Sequence, residues 1–226
     1  MASNRGSPVA HDGLVATASE GGVVSTVTAA HGRDVRTFQP PHRPSSLAFS
    51  DDELYVSSLE GGITACDATG GAERWRFAPD LAIHAPPVVG QDTVYVSTVD
   101  EGGVYALDRE SGTPQWSQRV EGSVWTPPVL TTDTVFVAGA SGTLSARRAV
   151  GGSQRWTVEI PGWITAGPVL LDDTLYVGCT DALFAVDRET GSLRRRIALD
   201  GVASVVAGDE SIFVVDRAGS LFVVDA

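Results

Sequence analysis

A block of about 40 residues recurs along this chain, and that recurrence limits what it can fold into more than any other feature. The stretch "VYVSTVDEGGVYALDRESGTPQW" (94–116) aligns with "LYVSSLEGGITACDATGGAERW" (54–75), "VFVAGASGTLSARRAVGGSQRW" (135–156) and "LYVGCTDALFAVDRETGSLRRR" (175–196). A weaker copy, "LVATASEGGVVSTVTAAHGRDVR", runs from Leu14, and a shortened one, "IFVVDRAGSLFVVDA", closes the sequence. The corresponding apolar positions Leu54, Val94, Val135, Leu175 and Ile212 fall 40, 41, 40 and 37 residues apart. A unit this short cannot bury its apolar surface alone, so it must stack on its neighbours.

Within each unit the pattern reads as strands. A short run opens it ("PPVVG" at 86, "PPVLT" at 127, "GPVLL" at 167, "SVVAG" at 204) and an acidic turn follows: Gln91-Asp92, Thr132-Asp133, Asp172-Asp173 or Asp209-Glu210. Next comes a second strand of β-branched and aromatic residues. A Gly-bearing turn leads to a third strand ending in Ala-x-Asp (Ala65 to Asp67, Ala106 to Asp108, Ala185 to Asp187), and a last turn leads to a fourth strand carrying Trp75, Trp116 or Trp156. Short strands punctuated by Gly, Asp and Pro, without helical periodicity, predict an all-β chain. Four antiparallel strands per unit of this length predict the blade of a β-propeller, about six blades with the last one incomplete. The expected units are 8–44, 45–85, 86–126, 127–166, 167–203 and 204–226, one domain over 8–226 after a disordered tail at 1–7.

The repeated residues have structural roles that need no ligand. Asp67, Asp108 and Asp187 are placed to accept backbone N–H groups in tight turns. Gly71, Gly112, Gly152 and Gly191 follow where positive φ is expected. Ala65, Ala106, Ala146 and Ala185 are small, as expected where a neighbouring blade's ring presses close, and Trp75, Trp116 and Trp156 would supply that ring. Arg195 and Arg36 take the Trp position in two units, so those contacts should be weaker.

At "ALDRESGTPQW", "ACDATGGAERW" and "AVDRETG" the chain resembles the pyrroloquinoline-quinone-type (PQQ-like) propeller repeat, from about Pro8 to Ala226, with Arg148 replacing the repeat Asp in one copy. That family holds quinoprotein alcohol dehydrogenases and non-enzymatic scaffolds of the BamB type, and the resemblance places this chain with the latter. The enzyme branch implies a quinone beside a calcium held by Glu, Asn and Asp, an Asp base and an adjacent Cys-Cys disulfide. Here Asn4 is the only Asn, and Cys66 and Cys179 lie in different units. Free buried thiols are expected, and no cofactor; PQQ with calcium is the alternative. His11, His31, His42 and His84 show no metal-ligand spacing, and no phosphate loop or nucleophile motif occurs. Paired acids such as Asp51-Asp52 and Asp172-Asp173 read as solvated turn carboxylates rather than as acid–base pairs.

Charge narrows the partners. There are 28 acidic and 16 basic residues, all of the latter Arg, for a net charge of -12. Nucleic acid phosphates and anionic lipid are therefore disfavoured, and a protein or peptide partner is expected. The Lys-free, acidic composition fits a GC-rich genome, high-salt adaptation, or both, in an archaeal or bacterial source. No run approaches a membrane span and "MASNRGSPVAHDG" lacks the apolar core of a signal peptide, so the sequence as written reads as cytoplasmic.

Residues that break the repeat are not needed for the blade and are the candidates for binding. Aligning the connections places His84, Trp125 and Thr165 at one position, with Trp163 and Arg43 within two residues of it. The second-to-third-strand loops add Glu60, Asp100, Glu101, Asp181 and Arg217. The site expected from this is Arg43, Glu60, His84, Glu101, Trp125, Trp163 and Asp181, with both Trp plugging a channel or filling gaps between blades as the competing reading. A last unit with three strands leaves an edge that invites self-association.

Overall fold

The computed structural model describes residues 7–33, 36–78, 80–100 and 102–225, and they form β-strands, turns and no helix. The strands build six antiparallel sheets, each from consecutive strands in chain order. The first holds β1 (Val9–His11), β2 (Leu14–Ala18), β3 (Val24–Thr28) and β4 (Arg36–Phe38). The second holds β5 (Pro44–Ser50), β6 (Glu53–Ser58), β7 (Gly62–Asp67) and β8 (Glu73–Phe77), and the third β9 (Val88–Val89), β10 (Thr93–Ser97), β11 (Gly103–Asp108) and β12 (Pro114–Arg119). The fourth comprises β13 (Val129–Leu130), β14 (Thr134–Ala138), β15 (Thr143–Arg148) and β16 (Gln154–Glu159). The fifth comprises β17 (Ile164–Leu171), β18 (Thr174–Cys179), β19 (Ala182–Asp187) and β20 (Leu193–Ala198). The sixth has three strands, β21 (Val202–Ala207), β22 (Ser211–Asp216) and β23 (Leu221–Asp225). The chain packs as two compact units, Met1–Asp100 with Tyr105–Trp116 and Glu101–Val104 with Ser117–Ala226.

The second strand of each sheet explains the packing. Its side chains alternate between faces with period two, yet both faces are apolar, as expected for strands covered on both sides. In the first unit Leu54 and Val56 join Ala16, Ala18 and Val24 of the first sheet, whereas Tyr55 joins Val94, Val96 and Leu107 of the third. In the second unit Phe136 packs with Leu175 and Val177, and Tyr176 with Ile212 and Val214. The aromatic residue therefore points to the following sheet and the aliphatic one to the preceding sheet. Tyr55, Tyr95, Phe136 and Tyr176 are all buried, at most 5 % exposed.

The turn between third and fourth strands is built as the sequence implied. The Asp67 carboxylate accepts the backbone N–H of Thr69 (3.0 Å) and Gly70 (2.7 Å); Asp108 accepts that of Ser111 (2.9 Å), and Asp187 those of Glu189 (3.0 Å) and Thr190 (2.8 Å). The Thr69, Ser111 and Thr190 hydroxyls, which donate to the same carboxylates, and then these N–H groups hold all three carboxyls below the usual range, Asp187 at about 2 with help from Arg194. The following glycine has φ near +70° in each case.

Two expectations change. The ring does not press on the alanine of a neighbouring sheet: Ala65 pairs with Trp75, and Ala146 with Trp156, within their own sheets. What Trp75 and Trp156 cover is the turn of the next sheet. The Trp75 indole N–H donates to the Arg109 carbonyl (2.7 Å), and its ring lies where a Cβ on Gly112 would go. Trp156 does the same with the Arg188 carbonyl (2.9 Å) and Gly191. The glycine is thus required twice, for its φ and for the ring above it. Arg36 does stand at the Trp position, but the contact is kept by Phe38, whose ring occupies the Cβ direction of Gly71.

The paired turn acids are not merely solvated. Arg74 reaches Asp52 (2.6 Å), Arg194 reaches Asp173 (2.8 Å), and Arg155 pairs with Asp133, an arginine beside the Trp position binding the acidic turn of its own sheet. Because these carboxylates are 62–69 % exposed, water screens the pairs and they add little to stability.

Candidate functional site

Within each unit, backbone bonds tie the connections that carry the repeat-breaking residues to the second-to-third-strand loops. The connection entering each sheet accepts an N–H from that sheet's second-to-third-strand loop: Ala82 from Val99, Ser123 from Ala140, Trp163 from Thr180, Gly201 from Arg217. The residue after the connection donates back to the preceding loop, as Ile83 does to Ser58 and Ile160 to Gly142. Side chains here are held by a stitched frame and need not support it themselves.

In the first unit the structure brings Arg43, Glu60 and His84 together with Pro44, Ser45 and Leu59 around a cleft of about 130 Å³. Ser45 fixes its wall by donating to the Ile83 carbonyl (2.6 Å), and the Ser58 hydroxyl accepts the Glu60 backbone N–H (3.0 Å). The His42 ring fills the Cβ direction of Gly61, so that loop admits no side chain there. Among the described residues, neither the Arg43 guanidinium nor the Glu60 carboxylate makes an ion pair, and both are exposed. The cleft therefore offers a cation, an anion and an imidazole around a small apolar floor.

In the second unit Trp125 is 48 % and Trp163 70 % exposed. Neither is buried within the sheets. Asp181 is committed to Arg196 (2.9 Å), itself stacked over the Phe184 ring at 5.9 Å, which gives it a structural partner. Thr165 bonds the Val202 carbonyl (2.6 Å) and Asp100 accepts the Ala82 N–H (3.1 Å), so both serve the frame. Glu101 lies outside the described residues.

At the opposite end of the second and third sheets, a wider hollow of about 480 Å³ escaped sequence reasoning. Glu53, whose side chain is 7 % exposed, accepts from the Tyr55 hydroxyl (2.6 Å), Arg109 Nε (2.9 Å) and Arg74 Nη1 (3.1 Å); Arg109 also reaches Asp51 (2.6 Å). Burial, and then the Glu53 carboxylate, push the Tyr55 hydroxyl far up. Burial works against the Arg109 charge, but Asp51 and Glu53 more than offset it. The signal was present, since Glu53 stands where Thr93, Thr134 and Thr174 begin the same strand. Arg74 and Arg109 pair with Asp51, Asp52 and Glu53, and among the described residues no group of three His, Cys, Asp or Glu could hold a metal. These donors do not fit the calcium of a quinone site, and no chemistry is derived through one. Both cysteines are free and buried; burial raises the Cys66 thiol to about 11 and Cys179 to about 12, so neither is a reactive thiolate.

Six antiparallel sheets in chain order, with Trp75 and Trp156 each clamped over the turn of the next sheet, define a β-propeller built from tandem repeats. Residues 18–226 match the model of the family described as outer membrane protein assembly factor BamB, and the chain belongs to that family. Among solved structures it is similar to the computationally designed Ika8 protein, at 16 % identity and TM-score 0.87 over 98 % of this chain and 70 % of that one. It is also similar to BamB from Moraxella catarrhalis, at 16 % identity and TM-score 0.66 over 99 % of this chain and 85 % of that one. At these identities the structures speak for the fold alone. No curated protein matches the chain. No helix among the described residues is long and apolar enough to cross a membrane.

Proposed function

We propose that this chain is a non-catalytic binding module that takes a protein or peptide segment at the connection end of its sheets. The observation that carries the reading is the exposure of Trp125 and Trp163, large rings on connections that backbone bonds at Ser123 and Trp163 tie to the neighbouring loops. An exposed Trp gains apolar burial when a partner covers it, and Trp and Arg are frequent anchors of protein interfaces. Within the first unit, Arg43 and Glu60, which make no ion pair among the described residues, stand beside His84 and offer charges of both signs, which suits a peptide backbone with mixed side chains more than a polyanion. Membership in a family described by an assembly factor supports the same class.

The test is a selection of displayed peptides on the intact protein, followed by affinity measurement with the best peptide. Trp163→Ala and Trp125→Ala should each weaken binding by about tenfold or more, and Arg43→Ala by less. Equal affinity for wild type and all three variants would refute the reading. Quinoprotein chemistry is the second reading from the family resemblance, and no feature of the structure favours it.

A further inference from the structure

The second sheet departs from the repeat at three positions, and all three line one cleft. At the same distance before Leu54, Val94, Val135 and Leu175 the chain carries Arg43, Ile83, Val124 and Ile164. The three apolar residues are buried, whereas Arg43 is exposed on the connection that enters β5. In the loop between β6 and β7, Leu59 stands where the third sheet has Val99. Val99 is 7 % exposed and Leu59 43 %. The next residue, Glu60, stands where the following sheets have Asp100, Ser141 and Asp181. Each of those serves its own sheet: Asp100 accepts the Ala82 N–H (3.1 Å), Ser141 donates to the Glu121 carbonyl (2.9 Å), and Asp181 pairs with Arg196 (2.9 Å). The Glu60 carboxylate makes no ion pair among the described residues, with Arg43 or with any other cation. A cation and an anion, both released from the frame, thus border the same cleft without meeting across it. Every residue lining it belongs to the first compact unit.

We propose that this cleft binds a small zwitterion, a free α-amino acid with a short apolar side chain. The inference rests on the reading of this cleft as a binding site and names what it takes. Size sets the first limit, because about 130 Å³ accepts one group of roughly ring size and falls well below ordinary ligand pockets. Charge sets the second. The ligand's carboxylate answers the Arg43 guanidinium, its ammonium answers Glu60, and its side chain covers the apolar floor of Pro44 and Leu59. An anion would leave Glu60 unanswered and meet the repulsion of a chain of net charge -12. A cation would leave Arg43 unanswered. A segment inside a peptide would need two charged side chains in a space for one group.

Both protein charges stand in water, so the affinity should be low, on the order of millimolar, and should fall with added salt. L-Valine titrated into the intact protein at low salt should give saturating NMR shifts at the backbone amides of Leu59, Glu60 and His84. Arg43→Gln and Glu60→Gln should each weaken binding about fivefold, and their spectra away from the cleft check the fold. N-acetyl-L-valine keeps only the carboxylate. It should bind about fivefold more weakly than valine and be indifferent to Glu60→Gln. L-Valinamide keeps only the ammonium and should be indifferent to Arg43→Gln. The proposal is overturned if tens of millimolar valine shift none of the three amides, or if neither substitution weakens binding. It is also overturned if N-acetyl-L-valine binds as tightly as valine, which would assign the cleft to the carboxyl end of a peptide. Peptide affinity in Trp125→Ala and Trp163→Ala is measured without valine, so either reading can fail while the other stands.

Discussion

The fourth and sixth sheets share a repeat but not its consequences. In the fourth, Phe136 is buried between strands and Trp156 at 5.8 Å, and Trp156 continues over Gly191 of the fifth. In the sixth, Phe213 occupies the same strand position and is exposed, and around Gly219 of its last turn a Cβ would meet no atom within 4 Å. The pattern of apolar residues is a property of the repeat, whereas stability is a property of the interface between repeats. A blade becomes rigid when the next one seals its aromatic face and the Trp of the preceding one clamps its turn.

The comparison is sharpest at the aromatic position itself. Removing a fully buried ring loses its transfer energy and leaves a cavity, so Phe136→Ala should cost about 3–5 kcal/mol of unfolding free energy. Phe213→Ala should cost about 1 kcal/mol or less. Urea unfolding at low protein concentration measures both; equal losses would mean that Phe213 is sealed after all.

The turn glycines give the next contrast. Alanine at Gly112 meets an unfavourable φ of +69° and the Trp75 ring, and the two penalties together should cost roughly 3 kcal/mol. Alanine at Gly219 faces only its φ of +86° and should cost roughly 1 kcal/mol. A third change isolates the clamp's polar part. Trp156→Phe keeps most of the ring but strands the Arg188 carbonyl, for a loss of about 1 kcal/mol, whereas no comparable bond exists at Arg195.

These contrasts also show what the sequence could reveal. Strand order, the Asp-headed turns and the positive-φ glycines follow from local rules, because period-two apolar runs and short carboxylates act within a few residues. The Trp-to-Gly clamp was half legible. Its two residues were visible, but Trp75 and Gly112 lie 37 positions apart, and alanine was the more obvious place for a ring to press. The Arg43, Glu60 and His84 cleft was legible because those residues interrupt the repeat. The Glu53 network interrupts it equally, yet a lone Glu in place of Thr carries no hint that Arg74, Arg109 and Tyr55 converge on it. Register, not composition, assembles that group. The exposure of Trp125 and Trp163 could not be read at all, since a plug and an anchor use the same residue.

The smallest effect concerns the turn carboxylates. Asp187 is held at about 2, first by the Thr190 hydroxyl and N–H and then by Arg194. Its folded value lies below the ordinary carboxylate value of about 3.9. The stabilisation is therefore fully present above pH 4 and is lost as pH falls through about 2. Since the carboxylate sits in water, the consequence is best read from its own titration rather than from global stability. In Thr190→Ala the hydroxyl bond disappears and the Thr190 N–H and Arg194 remain, so the Asp187 midpoint should rise part of the way toward the ordinary value. Carbon-detected NMR titration of the side chain follows it directly. A midpoint unmoved by Thr190→Ala would mean that the backbone N–H groups and Arg194 set it without the hydroxyl, and that the Thr of the Asp-x-x-Thr-Gly spacing is kept for the turn rather than for the charge.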